Sequence, residues 1–284
     1  MSTTFSNPPA QLLHGIRVVS LCINTPGPVA ASRLAKLGAS VTKIEPPTGD
    51  PLRSFAPAWY ESLRSGQNVL TLDLKEAYGS AQLDDLLKNT DLLLASFRPS
   101  ALRRLGLDWE TIHACHPQLC FVAITGYPPP LEERSGHDLT YLAGTGLVTP
   151  PELPPSLFVD LAGAERCVTQ SLALLLHRAR SGEAGWAMVS LYDCAYELAE
   201  PVKAGLTVPG GMLRGGFPLY GVYEASDGWV AIAALEPRFA ERLLSELCLA
   251  HADRDQLARV FRRRSAADWE KWAEERDLPL VVVR

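Results

Sequence analysis

Three ionisable side chains stand where loops meet predicted helices or strands: His137, Asp160 and Glu236. Histidine and carboxylates are the side chains that most often move protons to and from a substrate. Each residue also has an ordinary structural explanation. A histidine in a Gly-His-Asp turn is often a capping or surface residue, and acids at helix starts are favoured by capping and by the helix dipole. By type and position alone, the three residues do not define a reaction.

Basic side chains on the same predicted edge could hold an anionic ligand. Lys75, Arg98, Arg103 and Arg104 each follow a predicted strand or open a predicted helix. Arginine side chains and helix starts are common phosphate ligands, although an arginine at a loop edge is also often simply solvated. These residues considered singly indicate an α/β protein with a site for an anion, and no particular reaction.

The elements that must position these side chains alternate between strands and helices from residue 16 onward. Runs rich in β-branched and apolar residues predict strands, and apolar residues at helical spacing predict the helices between them. Such alternation is typical of a parallel sheet built from right-handed βαβ units, with a ligand site at the carboxyl ends of the strands. The predicted strands are 16–21, 40–44, 68–74, 91–95, 119–124 and 186–191, and the predicted helices include 28–37, 80–88 and about 164–180.

The C-terminal part of the chain has a different pattern. Residues 204–216 hold five glycines, and Asp227-Gly228 between two apolar runs predicts a β-hairpin, which predicted helices 237–250 and 266–275 follow. A length of 284 residues suits two domains. We expect a large α/β domain over 1–200, a linker over 201–216 and a smaller α+β domain over 217–284. The helix predicted from about residue 164 places Asp160 just ahead of its first turn.

Composition and charge exclude several classes of protein. With 47% hydrophobic and 21% charged residues, the chain has the composition of an ordinary globular protein. A net charge of -5 provides no general attraction to nucleic acid or to an anionic membrane, and no apolar run is long enough to span a bilayer. Residues 1–10 lack the pattern of a signal peptide. The six cysteines are scattered, which favours reduced thiols and a cytoplasmic location.

Local sequence also disfavours two classes of cofactor. The cluster from His113 to Cys120 has no second pair of ligands at zinc-finger spacing, so we expect no metal. Glu45 stands where an acid binds ribose in dinucleotide folds. The turn at residues 24–28, however, lacks the G-x-G-x-x-G that lets the backbone approach a pyrophosphate. We therefore expect no NAD or FAD.

Several short motifs follow one another along the chain, at residues 13–19, 26–28, 37–47, 72–75, 97–99 and 105–110. Their order resembles that of the family III CoA-transferases, which include carnitine CoA-transferase, formyl-CoA transferase and α-methylacyl-CoA racemase. The resemblance extends from about residue 12 to the end of the chain. It implies a Rossmann-like large domain that binds coenzyme A, an acyl-CoA substrate and a homodimer. It further implies that the chain lacks the usual C-terminal segment that returns to the large domain.

Within that family the chain is most similar to the racemase branch. Segments around His137, Asp160 and Glu236 resemble the three segments that carry the racemase acid-base residues. The resemblance implies that His137, supported by Glu236, and Asp160 exchange a proton at the α-carbon of a 2-methylacyl-CoA thioester. It implies that backbone amides of the helix after Asp160 bind the enolate oxygen. The implied coenzyme A contacts are Leu72, Lys75, Arg98 and Arg104.

Two other functions stay open. In the transferase members the aspartate is the nucleophile, so Asp160 would form a mixed anhydride and then an aspartyl-CoA thioester while CoA moves between carboxylic acids. A family member that binds acyl-CoA without turnover is the third possibility, because the chain departs from the racemase pattern. The departures are the missing arginine in Glu45-Pro46-Pro47, the replaced basic run at 63–68, and the prolines at 128–130 in place of a Gly-rich turn.

Overall fold

The computed structural model describes residues 11–284, which form two units. The first unit ends at Leu198 and the second extends from Ala199 to Arg284. The prediction that the chain has no signal peptide concerns residues 1–10, which lie outside the described residues. No helix within residues 11–284 is long and apolar enough to cross a membrane.

A six-stranded parallel sheet forms the centre of the first unit. The strand order is β3-β2-β1-β4-β5-β6, so the chain reverses its direction of progress across the sheet between β1 and β4. In such sheets a ligand crevice opens at the carboxyl ends of the strands, at the reversal point. The strands are β1 Arg17–Ser20, β2 Ser40–Glu45, β3 Asn68–Thr71, β4 Leu92–Ala95, β5 Cys120–Thr125 and β6 Trp186–Ser190.

Nine helices of the first unit lie between or after these strands within residues 11–198. Several begin with proline in the first turn, where its missing N–H costs nothing. The helices are α1 Pro26–Lys36, α2 Leu52–Phe55, α3 Pro57–Arg64, α4 Ala77–Leu87, α5 Pro99–Arg104, α6 Trp109–Cys115, α7 Asp138–Gly144, α8 Phe158–Ser181 and α9 Leu191–Leu198.

Alternate residues of the central strands pack against helices on opposite faces of the sheet. Leu92 and Leu94 belong to the core that includes α1 and α8, whereas Leu93 and Ala95 belong to the core that includes α4, α5 and α6. All four residues are fully buried. A strand buried on both faces is apolar throughout, which explains the continuous apolar run that predicts it.

The second unit is built around a three-stranded antiparallel sheet of order β7-β8-β9. Its core includes Phe261, Trp269 and Trp272, and the Trp269 indole N–H donates to the Phe261 carbonyl at 2.7 Å. Asp227 and Gly228 lie in the loop of the β7–β8 hairpin, as predicted. The elements are α10 Glu200–Lys203, one π-helical turn Met212–Gly216, β7 Tyr220–Glu224, β8 Trp229–Ala233, α11 Pro237–Glu246, α12 Arg254–Phe261, α13 Ala266–Glu274 and β9 Leu280–Val282.

The predicted fold class is confirmed: a large α/β part with a parallel sheet precedes a smaller part with an antiparallel sheet and helices. The segment predicted as a linker, 201–216, belongs to the second unit and contains most of α10 and the π-helical turn. Backbone hydrogen bonds order part of it, including one of 3.0 Å from Leu213 N–H to the Leu206 carbonyl. The assignment of coenzyme A binding to the large domain stays a prediction.

Candidate active site

A cleft of about 620 Å³ opens at the carboxyl ends of the central strands of the first unit. Its wall includes Thr25 and Arg98, from the segments that follow β1 and β4, and Thr125, the last residue of β5. His137 and Asp160 line the same cleft. The fold therefore brings together two of the three predicted acid-base residues and one predicted coenzyme A contact.

Asp160 is the third residue of α8, inside its first turn. The prediction that Asp160 stands ahead of a helix beginning near residue 164 is therefore wrong. The helix begins six residues earlier because a distant carboxylate caps it. Asp138 Oδ1 accepts hydrogen bonds from the N–H groups of Val159 at 2.7 Å and Asp160 at 3.0 Å. Leu157, the residue at the local cap position, provides no side-chain hydrogen bond.

Burial, which is the largest cause, and the negative charge of Asp138 together raise the pKa of Asp160 from 3.8 to about 7. A hydrogen bond with the Thr25 side chain offsets part of this increase. A carboxyl group usually loses its proton well below neutral pH. With this pKa, Asp160 can both accept and donate a proton near neutral pH, which is the property a proton-transfer catalyst needs.

His137 directly precedes α7, and its side chain is exposed to the cleft. The backbone N–H of His137 donates to the Thr140 hydroxyl at 2.9 Å, and that hydroxyl donates to the His137 backbone carbonyl at 2.8 Å. The preceding residue, Gly136, lies against the buried ring of Tyr141, so a Cβ atom there would approach Tyr141 Cε1 to 2.4 Å. Glycine at 136 therefore lets the backbone pack closely beside the histidine.

Several amides in the first turn of α8 are already engaged. The N–H groups of Val159 and Asp160 donate to Asp138, and the N–H of Leu161 donates to the Leu157 carbonyl at 3.0 Å. The expected enolate donors are amides of the helix after Asp160, and the first of them, Leu161, is bonded within the helix. Which groups bind an enolate oxygen stays a prediction.

The predicted coenzyme A contacts separate into two groups. Arg98 lines the cleft, and its guanidinium donates to the Ser135 hydroxyl at 2.9 Å. Lys75 and Arg104 are exposed and do not line this cleft within the described residues. Leu72 is buried and lines a separate depression beside β3. The geometry of the first unit thus supports Arg98 more directly than the other three.

Glu236, the third predicted acid-base residue, belongs to the second unit. It directly precedes α11, has an extended backbone and is exposed. Its side chain provides no hydrogen bond to cap the helix, so the ordinary capping explanation is not realised. The role of Glu236 beside His137 stays a prediction.

Glu45 is engaged in a buried ion cluster rather than facing the cleft. The Lys43 ammonium lies 2.7 Å from Glu45 Oε1 and 2.5 Å from Asp50 Oδ2, and the Tyr60 hydroxyl donates to Glu45 Oε1 at 2.9 Å. Asp50 Oδ1 also accepts from the N–H of Asn24, which precedes the cleft residue Thr25. This cluster gives Glu45 a structural role.

The cysteine and histidine cluster at residues 113–120 has no metal-binding geometry. Within residues 11–284 there is no group of three or more histidine, cysteine, aspartate or glutamate side chains that could hold a metal ion. His116 Nε2 instead lies 2.9 Å from Asp84 Oδ1, and the His113 ring stacks on Trp109.

Sequence reasoning missed two side chains of the site, Asp138 and Thr25. Asp138 is nearly fully buried, although it stands in a turn next to an exposed histidine. Thr25 is also buried, at the residue before α1. An aspartate in a Gly-His-Asp turn offers a weak signal, because such a residue usually caps its own helix.

The sequence model described as CoA-transferase family III matches residues 13–284. The chain belongs to this family. It is 30% identical over 290 residues to the human alpha-methylacyl-CoA racemase, an alignment that covers 90% of the chain and 74% of that enzyme. It is 31% identical over 274 residues to the alpha subunit of succinyl-CoA–L-malate CoA-transferase of Chloroflexus aurantiacus, covering 86% of the chain and 63% of that subunit.

The fold is also similar to solved structures. A crystal structure of a hypothetical protein from Mycobacterium tuberculosis superposes with a TM-score of 0.84 at 25% identity, covering 97% of this chain and 86% of that one. The match to the Chloroflexus subunit spans less than two thirds of its length. Family membership supports an acyl-CoA enzyme, and the relatives include both racemases and CoA-transferases.

Proposed function

We propose that the chain is an acyl-CoA racemase or epimerase that inverts the α-carbon of a 2-methylacyl-CoA thioester. The observation that carries the proposal is the placement of His137 and Asp160 on one cleft at the carboxyl ends of the sheet. The raised pKa of Asp160, about 7, suits a group that must both take and give a proton. The 30% identity to a human racemase is consistent with this choice.

The reaction needs one base and one acid at the same carbon. One group removes the α-proton, the C–H electron pair moves into the thioester to form an enolate, and the other group returns a proton to the opposite face. His137 and Asp160 exchange these roles according to the hand of the substrate. No net charge is created, and no further reactant is consumed. The supporting role of Glu236 remains part of the proposal.

The cleft of the first unit also offers a place for the coenzyme A portion. We propose that Arg98, whose guanidinium lines the cleft, binds a phosphate group of the substrate. Lys75, Arg104 and Leu72 remain proposed contacts on the strength of their motifs alone. A homodimer and a cytoplasmic location likewise stay predictions.

CoA transfer between carboxylic acids is the second candidate, and the 31% identity to a Chloroflexus CoA-transferase subunit favours keeping it. In that reaction Asp160 attacks the thioester carbonyl and releases the CoA thiolate. A pKa of about 7 leaves part of Asp160 unprotonated at neutral pH, which either reaction can use. The presence of His137 on the same cleft favours proton transfer, because that reaction needs a second acid-base group. Binding of acyl-CoA without turnover is the third candidate.

Exchange of the substrate α-hydrogen in deuterated water tests the proposal. Wild-type protein incubated with a 2-methylacyl-CoA should incorporate deuterium at the α-carbon, as measured by mass spectrometry. Asp160→Asn should lower the exchange rate by roughly 10²–10⁴-fold, the usual contribution of a positioned acid or base. Glu165→Gln, an exposed acid on the same helix, is the matched control and should exchange like wild type.

The other two candidates give different results in the same samples. Absence of exchange together with intact CoA binding, measured by calorimetry, would overturn the racemase proposal. An aspartyl hydroxamate formed at Asp160 with hydroxylamine, acyl-CoA and a free acid present would then support transfer. An unmodified Asp160 would support binding without turnover.

A further inference from the structure

Asp138 connects the two proposed proton-transfer residues through the backbone. It follows His137 directly and is the first residue of α7. Its carboxylate also accepts hydrogen bonds from the backbone N–H groups of Val159 and Asp160, at 2.7 and 3.0 Å, in the first turn of α8. Two adjacent residues therefore have separate roles: His137 lines the cleft, and Asp138 caps the helix that carries Asp160.

We propose that Asp138 is a positioning residue for the proton transfer, whose buried carboxylate fixes the first turn of α8 and the backbone of Asp160 relative to His137. This inference rests on the proposed function for its catalytic consequence. Its structural part, that Asp138 determines the environment of the Asp160 carboxyl group, stands on the hydrogen bonds alone. Asp138 contacts the reacting atoms at no step, so it acts through Asp160.

The burial of Asp138 supports an active role. Its side chain is 6% exposed, and burying a carboxylate is costly unless donors compensate it. Two backbone N–H groups and the positive end of the α8 dipole supply that compensation. A neutral residue could satisfy the same two donors without placing a charge there. The choice of a carboxylate therefore needs a further reason, and its neighbour Asp160 provides one.

Two buried acids close together tend to separate into one charged and one protonated group. The charge of Asp138 contributes to the raised pKa of Asp160, second to burial. The other groups around Asp160 do not cancel the increase in its pKa. Tyr141 on α7 is a buried phenol with its own pKa raised to about 12. Thr25, before α1, hydrogen bonds with Asp160 and acts in the opposite direction.

The charged side chains on the neighbouring helices are paired elsewhere. Arg33 on α1 lies 2.9 Å from Glu165, more than a turn further along α8. Arg166 on α8 pairs with Glu197 on α9. His137, Arg98, Arg134 and Glu132 line the same cleft, and no salt bridge joins any of them to Asp160 within the described residues. Asp138 is thus the charged group with a direct hydrogen-bonded connection to the Asp160 backbone.

Two variants separate the charge of Asp138 from its capping role. Asp138→Asn keeps an oxygen acceptor for the two N–H groups and removes the charge, whereas Asp138→Ala removes both. Asp108→Asn is the matched control, because Asp108 caps α6 through the Thr111 N–H and lies outside the cleft. The readout is the titration of Asp160 in the full chain, by NMR of ¹³C-carboxyl aspartate. The Asp160 resonance is assigned by its loss in Asp160→Asn.

We expect Asp138→Asn to move the Asp160 midpoint downward by about one pH unit, and Asp108→Asn to leave it unchanged. In Asp138→Ala, hydrogen exchange at the Val159 and Asp160 amides should accelerate at least tenfold, while Asp138→Asn retains most of their protection. An Asp160 midpoint unchanged in Asp138→Asn would overturn the inference. Unchanged amide protection in Asp138→Ala would do so as well.

Deuterium exchange of the substrate is measured on the same variants. If the proposed function holds, the pH limb assigned to Asp160 moves down with the NMR midpoint in Asp138→Asn. If the protein catalyses no exchange at all, the NMR result still decides the role of Asp138. Failure of the proposed function and failure of this inference are therefore distinguishable.

Discussion

The first unit contains two groups of buried acids that differ in how their charge is compensated. In one group, Glu45 and Asp50 share the ammonium of Lys43, and all three side chains are almost completely buried. In the other group, the partners described for Asp138 and Asp160 within residues 11–284 include no cation. Backbone N–H groups compensate Asp138, and Asp160 has a hydrogen bond with the Thr25 side chain.

The difference separates a structural use of buried charge from one suited to chemistry. A buried ion pair fixes the elements that carry it, because removing either partner leaves an uncompensated buried charge. Here it joins β2, α3 and the turn before α1. Two buried acids without a cation cannot both carry full charge at low cost, so one of them exchanges its proton near neutral pH. The comparison predicts opposite effects of removing charge in the two groups.

The largest effect is expected from Lys43→Met. Removing the ammonium leaves Glu45 and Asp50 buried without a cation, so we expect a loss of about 3–5 kcal/mol in the free energy of unfolding. Urea denaturation at pH 7 measures it. The loss should shrink as the pH falls and the two carboxylates take up protons. Lys88→Met, at an exposed lysine that pairs with Asp84 and Asp85, is the control and should change stability little. A Lys43→Met protein as stable as wild type would contradict the comparison.

Asp160→Asn should stabilise the protein, whereas Lys43→Met should destabilise it. The pKa of Asp160 is about 7 in the folded state against 3.8 for the ordinary group, so the folded state binds more protons between these values. The contribution of Asp160 to the free energy of unfolding is fully present below pH 3.8 and is lost as the pH rises through the folded-state pKa of about 7. The variant avoids that loss, so above pH 8 its free energy of unfolding should exceed that of wild type by up to about 4 kcal/mol, because the shift spans about three pKa units.

Denaturant titrations of Asp160→Asn and wild type across the pH range measure this effect. The two proteins should have equal stability near pH 4, where wild-type Asp160 is already protonated, and should diverge as the pH rises. Asp193→Asn, an exposed acid on α9, serves as the control and should show no such divergence. A constant difference at all pH values would mean that Asp160 is not the group that takes up the proton.

The two groups also differ in how far the sequence predicts them. Lys43 lies on the predicted strand 40–44 and Glu45 directly follows that strand, so alternation continued by one residue places the two side chains on one face. His137 and Asp160 could likewise be found by residue type and motif. Asp138 could not, because its hydrogen bonds to α8 join residues 21 and 22 positions apart in the sequence. The same contact explains why α8 begins earlier than the local sequence predicts, since no local residue signals that cap.

The strands were more predictable than the contacts between loops. Apolar runs at β4 and β5 reflect burial on both faces of the sheet, which is a property of each segment by itself. The pairing of Tyr60 on α3 with Glu45, and of Asp50 with the amide of Asn24, depends on where a helix and two loops return to the sheet edge. Hydrophobic periodicity contains no information about such returns.

The smallest expected effect tests whether the stability of the Lys43, Glu45 and Asp50 cluster depends mainly on the lysine. Tyr60→Phe removes the hydroxyl that donates to Glu45 Oε1 at 2.9 Å but keeps the ring that lies 4.9 Å from the Lys43 ammonium. Because Lys43 still compensates Glu45, we expect a loss of about 1 kcal/mol, the scale of one hydrogen bond. Tyr78→Phe is the control, since that hydroxyl is exposed and bonds only with the Gln82 side chain on the same helix among the contacts described. A loss as large as that of Lys43→Met would show that the phenol, rather than the ammonium, holds the cluster together.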